Sequence, residues 1–137
     1  MTAPAPDRCL ATADQMLRGA GALGASAVAA AWWPKACACL IRLALEGGID
    51  AFWHQVSPPI TACGAARTKQ LLLRRYDRAT ARRIGFVWAA LSSAAHHHCY
   101  DTAPGAGELR RLHTDVTALL TTLTNLADAI RSARTDR

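Results

Sequence analysis

Apolar side chains recur along this chain at three- and four-residue intervals, and nowhere do apolar and polar residues alternate long enough to predict a sheet strand. Leu10, Ala13, Leu17 and Ala20 form a first helical stripe, with Asp7 placed to cap it. The helix is expected to run on, loosened by Gly19, Gly21 and Gly24, toward Trp32. Pro34 then suits the first turn of a second helix, whose apolar set Cys37, Leu40, Ile41, Leu45, Ile49, Phe52 and Trp53 lasts to the Ser57-Pro58-Pro59 break.

A shorter helix is expected from Thr61 to Arg75, burying Leu71, Leu72 and Leu73. Asp77 follows as the cap of a fourth helix reaching His98, and Thr102-Ala103-Pro104-Gly105 supplies turn chemistry. The last helix carries Leu109, Leu112, Val116, Leu119, Leu120, Leu123 and Leu126 on one face, then frays over Arg131 to Arg137. The fold class is therefore all-α. Short connections predict an antiparallel four-helix bundle with one additional short helix. Residues 1–137 are expected to form one domain, with 1–6 and 131–137 as flexible tails.

Charge and cysteine content narrow the partners. The net charge of +6 comes mostly from arginine, whose planar fork matches phosphate oxygens, so anionic partners are favoured over cationic ones. Cys9, Cys37, Cys39, Cys63 and Cys99 are odd in number and lack a repeated zinc spacing, which predicts buried thiols in a reducing cytoplasm. Cys37-x-Cys39 is too closely spaced for a redox pair or a zinc knuckle. The uncharged segment from Gly19 to Trp33 falls short of a membrane span, and Lys35 and Arg42 follow it closely. Asp7 and Asp14 stand where a secretory signal would be basic. A cytoplasmic protein without membrane contact is expected.

Three groups of residues carry candidate chemistry. His96, His97 and His98 are adjacent, but successive helical residues point about 100° apart, so three imidazoles cannot converge from one intact helix. Arg42, Glu46, Asp50 and His54 follow one another at four-residue spacing on the second helix, a pattern suited to acid–base work, to metal binding or to a solvated ion-paired face. Glu-x-x-His pairs are absent, which argues against a di-iron carboxylate bundle. Arg67, Lys69, Arg74, Arg75, Arg78, Arg82 and Arg83 form the densest basic cluster. Without interleaved exposed aromatics or a Gly-rich loop, they predict either phosphate tolerance with no reading of sequence or a merely solvated face. Trp32, Trp33, Trp53 and Trp88 are expected to supply core or subunit-interface area.

A late helix of a small bundle ending in His98-Cys99-Tyr100 resembles the HEPN superfamily of toxin–antitoxin, abortive-infection and RNA-processing proteins. The longer run from Trp88 through Leu91, Ser92, His96 and His98 to Tyr100, preceded by the helix from Ala44 to Trp53, is similar to actinobacterial proteins of HEPN-like type. That resemblance implies a homodimer, an RNA or antitoxin partner, and His98, His96 and Tyr100 as the catalytic set. Tyr100 would then be a modification site for a partner nucleotidyltransferase. The family's arginine, separated from the histidine by four to six residues, is replaced by Ser93, Ser92 or Leu91. Without that cation to stabilise a phosphorane, the resemblance implies an RNA- or protein-binding module lacking efficient nuclease activity. The alternatives are a metal-independent ribonuclease in which His96 or His98 works with an arginine from another helix, such as Arg42, Arg82 or Arg83, and a metal or small-molecule bundle built on Glu46, Asp50 and His54 facing His96 or His98 across the core. No cofactor and no resident metal are expected.

Overall fold

The proline at position 34, expected to open a helix, lies inside one. The computed structural model describes residues 4–19, 27–96 and 104–137, with the backbone alone for 27–31. Helix α1 spans Pro6–Arg18 and α2 spans Ala27–Val56. Pro34 is the eighth residue of α2 and gives no N–H to the Ala30 carbonyl. The helix continues because Pro34 is itself buried and is followed at once by buried Cys37, Ala38 and Ile41, so packing outweighs the local penalty.

The first helix is shorter than the sequence suggested and starts differently. It ends at Arg18, with Gly19 as its C-cap, and does not run on to Trp32 as one element. Ala5 takes the N-cap position and Pro6 the first turn; Asp7 sits within that turn, where its charge favours the positive end of the helix dipole, and does not cap it.

After α2 come a 3-10 turn over Pro58–Ala62, α3 over Ala66–Leu72, a second 3-10 turn over Leu73–Arg75, α4 over Arg78–Ala95 and α5 over Ala106–Thr135. Among the described residues there are five α-helices and no strand, so the protein is all-α. No helix of the described residues is long and apolar enough to cross a membrane. The α3 region departs from expectation: Leu71 is 43% exposed while Gln70 is only 3% exposed, because Gln70 and Leu73, three positions apart, share the core-facing side and Leu71 is turned about 100° from Gln70. Asp77 caps α4 as expected, accepting from the Thr80 amide at 3.2 Å.

Helix α2 is the hub and packs against α1, α4 and α5. Its Ile41, Ala44, Leu45, Ile49, Phe52 and Trp53 meet Ala13 from α1, Ile84 and Leu91 from α4, and Leu109, Val116, Leu119 and Leu123 from α5 in one core. Two polar clamps tie α1 to α5. Arg110 Nη1 donates to Asp14 Oδ1 at 2.6 Å, and His113 Nε2 donates to the Leu10 carbonyl at 2.9 Å. The Arg110 bond holds the Asp14 carboxyl below the usual carboxylate range.

The end of α5 is held where fraying was expected. The helix runs to Thr135, Arg134 Nη1 donates to the Val56 carbonyl at 2.7 Å, and Arg131 Nη1 donates to Gln55 Oε1 at 3.1 Å. Threonines, poor helix formers in isolation, are satisfied along the outside of α5 by hydroxyl bonds to carbonyls four residues back, as at Thr114, Thr117 and Thr121.

The thiols divide into two kinds. Cys9 and Cys37 are buried, whereas Cys39 and Cys63 are half-buried, contrary to the expectation that all are core residues. Burial pushes the Cys37 thiol up to about 11 and also raises Cys9. In a native titration with a disulfide reagent at pH 8, Cys37 should therefore stay at least about tenfold slower than Cys39 and Cys63, since thiolate fraction falls tenfold per unit of pKa above the solvent pH. Peptide mapping of the labelled protein checks this, and equal labelling of Cys37 and Cys63 would show that the core opens readily.

Candidate functional site: an arginine–histidine pair and an arginine hollow

The α2 stripe reaches three different environments. Each four-residue step turns a helix by about 40°, so Arg42 and His54 are rotated about 120° from one another. Arg42 and Glu46 face α4, Asp50 faces α3, and His54 is exposed to solvent. They do not form one four-membered site.

Arg42 is the junction. Its Nη1 donates to His96 Nε2, the first residue beyond α4, at 3.3 Å, and its Nε lies 3.7 Å from Glu46 Oε1. Trp88 Nε1 donates to the same Glu46 oxygen at 3.0 Å. Because the guanidinium has only donors, the bond requires an imidazole with its Nε2 lone pair free and its proton on Nδ1. The 3.7 Å contact is an ion pair too long for a hydrogen bond, which leaves the buried Arg42 Nε without a hydrogen-bond acceptor. Ser92 Oγ, one turn before His96, is also buried and unpartnered.

The neighbouring carboxylate is engaged elsewhere. Asp50 Oδ1 accepts from Lys69 Nζ at 2.7 Å, and the Lys69 carbonyl accepts from Trp53 Nε1 at 3.1 Å. Glu46, Asp50 and Lys69 border a recess of about 230 Å³. Among the described residues no three His, Cys, Asp or Glu side chains come together as a metal site, so Glu46, Asp50, His54 and His96 do not assemble the ligand set considered from the sequence. His98 and Tyr100 lie outside the described residues, as do His97 and Cys99.

The basic cluster also separates. Arg74 and Arg75 from the 3-10 turn join Arg78 and Arg82 from the first two turns of α4 around a hollow of about 560 Å³. All four are exposed, and none forms an ion pair among the described residues. Lys69 is committed to Asp50, while Arg67 and Arg83 are exposed outside the hollow's lining.

One exposed aromatic beside the basic cluster is not evident from the arginines alone: Phe86 is 78% exposed on α4, four residues after Arg82 and three after Arg83. The signal was present: Ala81, Ile84, Val87 and Leu91 define the buried stripe of α4, and Phe86 falls off it. The tryptophans divide likewise. Trp53 is core and Trp88 is bonded to Glu46, whereas Trp32 is 62% exposed with the Lys35 ammonium 5.5 Å from its ring centre.

No family model matches the chain, and neither the curated proteins nor the solved structures give a match.

Proposed function

We propose that this chain is a HEPN-like RNA-binding module, an antiparallel four-helix bundle with α3 as its additional short helix, acting as a cytoplasmic homodimer within a toxin–antitoxin or defence system and lacking efficient nuclease activity. The observation that carries the RNA reading is the hollow lined by Arg74, Arg75, Arg78 and Arg82. Four guanidiniums without carboxylate partners repel one another and are relieved by an anion that spans them. A phosphodiester chain supplies such charges at regular spacing, and its binding releases condensed counterions.

Metal-independent cleavage is a second reading, favoured by the 3.3 Å approach of Arg42 to His96. In it, His96 would take the proton of a ribose 2′-hydroxyl as that oxygen attacks phosphorus, Arg42 would stabilise the phosphorane charge, and the P–O5′ bond would break with the 5′-oxygen protonated from His96 or water. Two features weigh against efficiency. The imidazole lone pair that must take the proton already accepts from Arg42, and Glu46 answers part of the arginine charge.

Binding of a labelled single-stranded RNA, followed by fluorescence anisotropy across a salt series, tests the proposal. Four phosphate contacts predict a slope of log affinity against log salt of about −2.8, and replacing all four arginines with glutamine should remove most of it. Salt-independent binding, or an unchanged slope in the quadruple variant, would refute the arginine hollow as the binding surface. Intact RNA should be recovered from the same mixtures. Cleavage that disappears in both His96→Ala and Arg42→Ala would transfer support to the second reading.

A further inference from the structure

Building on that RNA-binding reading, we infer that the arginine hollow and Phe86 form one track for single-stranded RNA, with phosphates on the arginines and an unpaired base stacked on the Phe86 ring. A lone exposed apolar residue is ordinary on a protein surface, so the weight lies in where Phe86 stands. Arg82 lines the hollow, and Phe86 follows it one turn later on α4, about 6 Å along the helix axis. Helical side chains lean toward the N-terminus, so the phenyl ring is directed back over the turn that holds Arg82 and Arg83. Cationic contacts to the backbone beside an aromatic platform are the two components of single-strand recognition.

A duplex meets only half of this surface. Its phosphates could enter the hollow, but its bases are paired and stacked away from any side chain on the protein surface. A second copy of this chain fits less well. Around a two-fold axis at Phe86, each ring would meet its own copy, and Arg82 and Arg83 would be brought toward their own like charges. Exposed Ala79 and Ala89 add little apolar area on this helix to offset that repulsion.

Anisotropy titrations with labelled oligouridine of about 12 nucleotides, free or annealed to oligoadenosine, test the track, a length within single-strand site sizes. The single strand should bind more tightly than the duplex. Phe86→Ala should weaken single-strand binding by about 5- to 160-fold, the effect of losing one base stack, with the salt slope unchanged because no charge is removed. Phe86→Tyr should bind as the parent does. Thermal melting should be the same for all three proteins, since the ring is exposed and outside the core. Binding of Phe86→Ala within twofold of the parent, or equal affinity for duplex and single strand, would overturn the stacking site while leaving RNA binding in place. A fall in solution mass of Phe86→Ala with RNA binding intact would overturn it too, identifying a second copy as what covers the ring. Failure of the parent to bind either form would remove the underlying RNA reading as well.

Discussion

Replacing Trp53 with alanine should destabilise the protein by about 3–5 kcal/mol, the cost of removing a large aromatic from a packed core. Trp53 is 1% exposed and stands at the end of α2 in a cluster of three rings, edge-on to Phe52 at 5.0 Å and to Tyr76 at 5.8 Å between centroids. Each such edge contact adds to simple area burial because the positive ring edge meets the negative face. Its indole N–H also donates to the Lys69 carbonyl, so truncation removes a tie between α2 and α3 as well as volume. Set against a total stability of roughly 5–15 kcal/mol for a domain, the loss is a large share of the whole. A fall in Tm of roughly 10–20 °C is expected by far-UV circular dichroism. Trp53→Phe should lie between the two, keeping a ring while losing the hydrogen bond. A Tm for Trp53→Ala within about 3 °C of the parent, the shift expected from a loss of about 1 kcal/mol, would show that the ring cluster does not hold α3 in place.

Trp53 also marks how far periodicity reaches. Its burial was legible because Leu45, Ile49, Phe52 and Trp53 share a stripe, and the same is true of Leu109, Leu112, Val116, Leu119 and Leu123 on α5. The Asp77 cap was legible because its chemistry is local. Where several weak local terms compete with packing, the reading failed. Pro34 signalled a helix start, and the long apolar run through it settled the matter the other way. Leu71-Leu72-Leu73 read as buried as a block, yet three consecutive helical residues spread over about 200°, and Gln70 takes the core-facing place that Leu71 cannot reach.

The site was legible in its parts and illegible in its pairing. Spacing placed Arg42 and Glu46 on one side of α2, but which α4 residue meets them depends on the rotation and axial offset of two helices, neither of which is encoded locally. His96 and Arg42 are 54 positions apart in sequence and meet only through that docking. The accumulated rotation of about 40° per four residues is the reason an apparent line of four functional groups became three separate environments. Arg42 therefore reaches His96 through a contact that no search within one helix could reveal.

Two adjacent glycines let α1 and α5 approach α2 closely, and filling the second should be the other large stability effect. Gly47 and Gly48 point about 100° apart, so each admits a different neighbour. A Cβ on Gly47 would stand 3.0 Å from Pro6 Cγ of α1, whereas a Cβ on Gly48 would overlap Leu120 Cδ2 of α5. Gly48→Leu should cost about 1–3 kcal/mol, read as a lower urea midpoint, because added methylenes in a filled seam force side chains off rotamer or helices apart. Gly48→Ala should cost less, since the terminal methyl of Leu120 can rotate and alanine gains up to about 1 kcal/mol of helix propensity. The mechanism predicts a sign for the coupling as well. Leu120→Ala removes the obstructing methyl, so Gly48→Leu should be better tolerated in that background than in the parent, with a coupling of about 0.5–3 kcal/mol in the double-mutant cycle. Strict additivity would mean that the strain of Gly48→Leu arises within α2 itself, and the close approach of α2 to α5 would then owe nothing to the missing side chain.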